Sequence, residues 1–502
     1  MDNSIDFIYK IQKELSTLGR VGALLGWDQM TYMPAEGTTE RSDQISLISR
    51  ISHERLISDK LYSHVKKVTE KNNFANLKEN DKIMVLRLKK DIQKARKVPP
   101  EFVEKMSKTT TLAYSAWMEA RKKDKFSLFA PYLEKIVDLE KEYCRYIDLP
   151  GHSYNSLLDD YEEGMTVEKL KKEFDYLKPK LIQLLGKITA SNVYKKQNKS
   201  NLKFDIEKQK KVCHLIVKQI NLPEERSRLD VSAHPFSTTM GYDDVRITTN
   251  FEHENPLFSF FSTVHEGGHA LYELGLPKGE FKDTVVSDAP SFGIHESQSR
   301  FWENMIARSK HFWKYFYPIF RKTFSKQLKH FDFNSWYRYV NQVKPSLIRV
   351  EADELTYCLH VILRFEIELA LMDGEIRVSK LPDFWNEKMN EMLGISPKND
   401  KQGVLQDMHW SEGNFGYFPT YAIGSIYASQ LFKQIIEDNP NIVEEIEQAN
   451  FTTVLGWLRE HVHSYGRSMT AEEIIKNTCG EGLDSKVFIR YLEDKYCPLY
   501  EI

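Results

Sequence analysis

Cysteine is scarce in this chain and never closely spaced: Cys144, Cys213, Cys358, Cys479 and Cys497 are the only five among 502 residues, and no C-x-x-C pair occurs. That leaves no basis for a disulfide framework or a cysteine-ligated zinc, and reduced thiols are expected. Long apolar runs are missing as well. No stretch of about 18 uncharged apolar residues occurs, so no membrane span is expected. The opening Met1-Asp-Asn-Ser-Ile-Asp-Phe7 lacks the basic and apolar regions of a signal peptide, which sets the expectation of a cytoplasmic protein. Nor is there an excess of one charge. Lys and Arg number 70 against 72 Asp and Glu, a formal net charge of −2, so neither nucleic acid nor an anionic membrane is implied as a partner. The basic tract from Lys195 to Lys211 has no interleaved aromatics and reads as a solvated face.

What is present is mostly helical periodicity. Tyr132, Ile136, Leu139, Tyr143 and Ile147 form one buried stripe, and Leu170, Phe174, Leu177, Leu181 and Leu184 form another after Thr166, a predicted N-cap. Helices are expected from Ile5 to Leu25 and from Asp43 towards Val65, separated by an aromatic and polar turn, Gly26 to Pro34. Asp81 to Arg96 reads as a charged helix stopped by Val98-Pro-Pro100. Pro345 is expected to open a long helix running to Met372 and closed by Gly374. Thr470 and Glu473 have the spacing of a capping box. The period changes only at Asp243 to Thr249, which alternates in twos. As a strand it places Asp244, Arg246 and Thr248 on one face and Val245 and Ile247 on the other. With no internal repeat and no low-complexity linker, residues 1–502 read as one large, mainly α unit with a small β element.

The chemistry concentrates at Ser262 to Glu273. His265 and His269 stand four apart with Glu266 between them, an H-E-x-x-H arrangement. On a helix, residues i and i+4 share a face, so both imidazoles reach one metal ion and Glu266 stands beside it as a general base. Two solvated histidines on a surface helix would be the bland alternative. The flanking Phe258, Phe260, Phe261, Val264, Ala270, Leu271 and Tyr272 argue for a buried helix instead, where His and Glu need partners.

A catalytic zinc requires a third protein ligand. The chain has Tyr272 and Gly275 where the extended metzincin motif requires glycine and histidine, so that class is excluded. A later glutamate is the other route, with Glu273, Glu280, Glu296 and Glu303 as candidates. Glu296 lies far enough on for a turn and a returning helix, and Arg300, one turn after it, can hold its unused oxygen.

Six motifs in order resemble the carboxypeptidase Taq family of zinc metallocarboxypeptidases: His234-Pro-Phe236, Asp244-x-Arg-x-Thr248, the H-E-x-x-H, His295-Glu-Ser-Gln298, Ile348-Arg-x-x-Ala-Asp353 and Gly403-x-x-Gln-Asp-x-His-Trp410. The turn around Trp27 is similar too. The resemblance implies an almost all-helical fold divided by a deep groove, a glutamate-type zincin site at its floor and a homodimer. It implies release of single residues from peptide C-termini, with zinc or cobalt as the metal. By position, His265, His269 and Glu296 would bind metal and Glu266 would be the base. Arg349 would anchor the terminal carboxylate, and His234, Asp244, Arg246 and Thr248 would line the groove's end. Either His409 or Tyr417 would donate to the developing oxyanion. Arg349 and Asp353, four apart, would form an ion pair if helical. Two other readings stay open at this point: a zinc endopeptidase or dipeptidase without a carboxylate anchor, and a silent helical binding protein.

Overall fold

The computed structural model describes residues 2–196 and 202–502; Lys199, within the basic tract, lies outside them. The fold is mainly helical, with a single small sheet of three strands among the described residues. In that sheet β1 (Ser227–Val231) runs parallel to the central β3 (Asp244–Thr249), and β2 (Ser237–Gly241) runs antiparallel to it. Leu229 and Ser237 both register against Ile247, and a bulge interrupts β2 between Thr239 and Gly241. Val245 and Ile247 are buried, as the alternation requires, while Asp244 and Arg246 are half-exposed. Thr248 shares their face but is fully buried, because the segment Ser232 to Phe236 folds over it.

The His265 helix, Pro256–Gly275, starts on a proline whose fixed φ suits a first turn. Phe260, Phe261, Val264, Ala270, Leu271 and Tyr272 are all buried, so this helix has no broad wet face and passes through the middle of the molecule. The Glu296 helix, Phe292–Arg300, is capped by the Ser291 hydroxyl, which accepts from the Ile294 N–H at 3.0 Å. It runs straight into a π-helical stretch, Phe301–Ala307, every residue of which is buried. The two helices meet at Gly268, where a Cβ would lie 2.7 Å from the Gln298 carbonyl. On the other side, a Cβ on Gly424 of the helix Pro419–Asp438 would lie 2.6 Å from Cγ of Glu296. Only glycine allows these backbones so close, and the glutamate is thereby wedged between two helices.

One hydrophobic core runs from Ala113 to Tyr500, and a smaller one joins Ile8, Ile11, Leu61, Val65, Met84, Val85, Leu88 and Ile92 to Val286. Three local expectations are corrected here. Helix α1 extends over Asp2–Thr31, through most of the expected Gly26 to Pro34 turn. The Trp27 ring packs under the Arg246 guanidinium at 4.3 Å, and the Tyr32 hydroxyl donates to Asp230 at 2.6 Å. Docking of this end onto the sheet outweighs the roughly 1 kcal/mol that Gly26 costs a helix. The second helix, α2, begins at Thr38 and ends at Leu56, with a separate helix from Asp59. Pro345 does not open a helix: the segment holds only a short 3-10 turn, Arg349–Glu351, and the long helix begins at Tyr357. The Arg349 N–H is taken by Gln406 Oε1 at 2.8 Å, and Asp353 accepts the N–H groups of Lys344, Leu355 and Thr356. The Leu170 to Leu184 stripe is buried throughout, the Tyr132 to Ile147 stripe is buried at Ile136, Leu139 and Ile147 and half-buried at its two tyrosines, and the Thr166 cap and Thr470–Glu473 capping box are as expected.

Candidate active site

His265, His269 and Glu296 converge with one ligand atom apiece within 4.8 Å of one another. Oε2 of Glu296 lies 3.4 Å from Nε2 of His269 and 3.6 Å from Nε2 of His265. Tetrahedral bonds of about 2.0–2.1 Å from a central ion separate neighbouring ligand atoms by roughly 3.3–3.4 Å. The trio therefore fits a divalent ion with no rearrangement of helices. Burial drives the His269 imidazole down to about 3, keeping it in the neutral form that ligates. Burial alone would raise Glu296, but Arg300 and the two imidazoles hold it well below the usual carboxylate range. Arg300 Nε donates to its Oε1 at 2.7 Å, while Oε2, which accepts from the Ser299 hydroxyl at 3.0 Å, is the oxygen turned towards the two imidazoles.

Each histidine is braced from behind. Nδ1 of His265 pairs with Glu303 Oε2 at 2.9 Å, and Glu303 is itself gripped by Arg308 at 3.0 Å. His295 stacks on the His269 ring at 4.4 Å and is held by Glu273, 2.9 Å from its Nε2, which also accepts from Thr239. Glu266 is 7% exposed and takes no part in the ligand trio. Burial pushes its carboxyl up to about 7, against the pull of His265.

A second polar constellation surrounds Asp407. Its Oδ1 accepts from Nε and Nη2 of Arg349 at 3.0 and 2.9 Å, and its Oδ2 from Nε of Arg364 at 2.7 Å. Two guanidiniums thus share one carboxylate, leaving a buried excess of one positive charge. Nη1 of Arg349 also donates to the Tyr357 hydroxyl at 3.2 Å. The Arg349–Asp353 pair is therefore replaced by Arg349–Asp407, since without a helix the i, i+4 geometry does not exist. His409 Nδ1 is buried with no hydrogen-bond partner among the described residues. Burial, then Arg349, lowers its imidazole to about 4. Tyr417 packs beside it at 5.4 Å between ring centres. Arg246 makes a forked pair with Asp244, both bonds 2.9 Å, and His234 is exposed on the loop before β2. Thr248 uses its hydroxyl on Ser232 and on the Phe236 N–H, so it shapes the His234-Pro-Phe236 loop from beneath.

The profile of the carboxypeptidase Taq (M32) metallopeptidases matches residues 7–496. The chain belongs to that family. Thermostable carboxypeptidase 1 of Pyrococcus furiosus is 40% identical over 486 residues, 96% of either chain. Carboxypeptidase 1 of Bacillus subtilis is 38% identical over 492 residues, 98% of either chain. The crystal structure of an M32 carboxypeptidase from Deinococcus radiodurans R1 superposes with a TM-score of 0.95 at 34% identity, covering 100% of both chains. The protein is accordingly a metallocarboxypeptidase with a His-His-Glu metal site.

Around that M32 site, sequence reasoning missed the bracing residues. Glu303 appeared only as a rival ligand; its role behind His265 depends on the π-helical stretch that carries it. Asp407 and Gln406 lay inside a quoted motif, but their arginine partners, Arg349 and Arg364, are more than forty residues away in the chain. Glu303→Gln weakens the carboxylate that fixes the His265 tautomer. Its expected effect is a 10- to 100-fold loss of metal affinity, read by competition with a chelator, together with a lowered melting temperature of the metal-free protein, because Arg308 loses its buried counter-charge.

Proposed function

We propose that this metallocarboxypeptidase holds zinc on His265, His269 and Glu296, with cobalt able to substitute, and removes single C-terminal residues with broad preference from peptides bound in a groove. The observation that carries the reading is the pairing of a ligand trio whose atoms lie within 4.8 Å of one another with a buried carboxylate, Glu266, left out of it. A divalent ion bound there would polarise the scissile carbonyl and lower the pKa of a water towards about 7. Glu266 then accepts the proton of the attacking water and passes it to the leaving amine, a task suited to a carboxyl raised by burial. Arg349 receives the substrate's terminal carboxylate, and the unbalanced positive charge around Asp407 is the support for this: an incoming carboxylate neutralises it. His409 and Tyr417 both offer a donor to the developing oxyanion. Asp244, Arg246 and His234 border the groove, with Thr248 as their support. In this reading residues 1–502 work as one unit and assemble as a homodimer. Among the described residues no helix is long and apolar enough to cross a membrane.

The test is digestion of one peptide in free-acid and C-terminally amidated forms, followed by mass spectrometry. Stepwise loss of single residues from the free acid alone supports the reading. Internal cleavage of both forms would remove Arg349 from its role, and no cleavage by metal-loaded protein would leave a silent binding protein.

A further inference from the structure

Phe292 is an exposed ring in a guarded place. It opens the Glu296 helix, and residues i and i+4 share a helix face, so its ring lies one turn from the metal-binding carboxylate on the same side. It keeps 48% of its surface open. Yet it is not loose: its ring meets Tyr161 edge-on at 5.6 Å and Tyr417 at 5.3 Å, and those two tyrosines meet each other at 5.2 Å. Three mutually braced rings fix the open face of one phenylalanine. Tyr417 also packs against His409, 5.4 Å between ring centres. From Tyr417 the aromatic surface continues to Tyr421 at 5.2 Å and ends against the Arg349 guanidinium, 5.0 Å from the Tyr421 ring.

We infer that Phe292 is the specificity wall for the penultimate residue of the substrate, the one that becomes the new C-terminus, and that it favours aromatic and large apolar side chains there. The inference rests on the proposed anchoring of the terminal carboxylate at Arg349. With the carboxylate held there, an extended peptide advances about 3.3–3.6 Å per residue. The terminal side chain then lies against Tyr421. The next residue carries the scissile carbonyl, so it sits beside the metal ligands, one helical turn from Phe292 and its neighbour Tyr417. A preorganised aromatic face with a large open area attracts apolar groups.

The test uses metal-loaded protein and three N-blocked dipeptide free acids, Phe-Leu, Ala-Leu and Ala-Phe, with kcat/KM measured for wild type, Phe292→Ala and Phe292→Leu. Wild type is expected to prefer Phe-Leu over Ala-Leu. That ratio should fall about tenfold in Phe292→Ala and partway in Phe292→Leu, while the ratio of Ala-Phe to Ala-Leu stays unchanged. The leucine variant keeps an apolar side chain and decides the matter if the alanine variant folds poorly. An equal fall for all three substrates would make Phe292 structural only and overturn the inference. A wild type indifferent to the penultimate side chain, or a shift confined to the terminal residue, would overturn it as well. Wild type releasing nothing from any free acid would instead sink the carboxypeptidase reading beneath it.

Discussion

Glu266→Gln is expected to lower kcat by about 10² to 10⁴-fold while the protein retains its metal. The substitution keeps the size and shape of the side chain. It removes the lone function the geometry leaves to Glu266, since the ligand trio is complete without it. The glutamate is buried beside His265, with the Ser237 side chain at the edge of β2 as a hydrogen-bond partner. An amide fits that environment at small cost, so thermal stability should hold. Metal content by elemental analysis and kcat on a free-acid peptide check the two halves separately. Loss of metal would make Glu266 a ligand after all. Activity within about tenfold of wild type would mean that the water loses its proton by another route.

The metal trio was legible in sequence to different depths. His265 and His269 needed only the 3.6-residue turn, because helix geometry alone brings i and i+4 together. Glu296 needed tertiary structure, since nothing local says that the second helix returns close enough. What makes it close is Gly268 on one side and Gly424 on the other, contacts that a sequence presents only as two glycines among 23.

The N-terminal turn and the Pro345 segment failed for the opposite reason. Both look as though local rules should decide them, and in both a distant side chain outweighs local propensity. Arg246, more than two hundred residues on, keeps Trp27 in helix. Gln406 captures the Arg349 N–H and holds that residue in a turn. The same event that spoiled the helix expectation also placed the proposed anchor: a helical Arg349 would pair with Asp353, whereas the turn delivers it to Asp407 and Tyr357. Functional geometry here lies where long-range hydrogen bonds override the nearest-neighbour pattern.

Arg349→Met is the second large effect, expected to reduce kcat/KM on free-acid peptides by roughly 10²-fold, about 3 kcal/mol. The loss should appear mainly in KM, because the interaction forms with the bound substrate and changes little at the reacting carbonyl. Methionine fills much of the space of the arginine stem, and Asp407 keeps Arg364 as its partner at 2.7 Å, so the buried carboxylate is not stranded. The reverse substitution makes the contrast. Asp407→Ala leaves two guanidiniums buried without their shared counter-charge, an arrangement that costs about 3–5 kcal/mol and shows as a lowered melting temperature. If Arg349 is the anchor, Arg349→Met must also erase the preference for a free acid over its amide, bringing both to the same low rate. A variant that loses rate on both substrates in proportion would place Arg349 among the residues that merely hold the 406–417 segment. The carboxylate anchor would then have to be sought elsewhere, at Arg246, whose fork is already closed on Asp244.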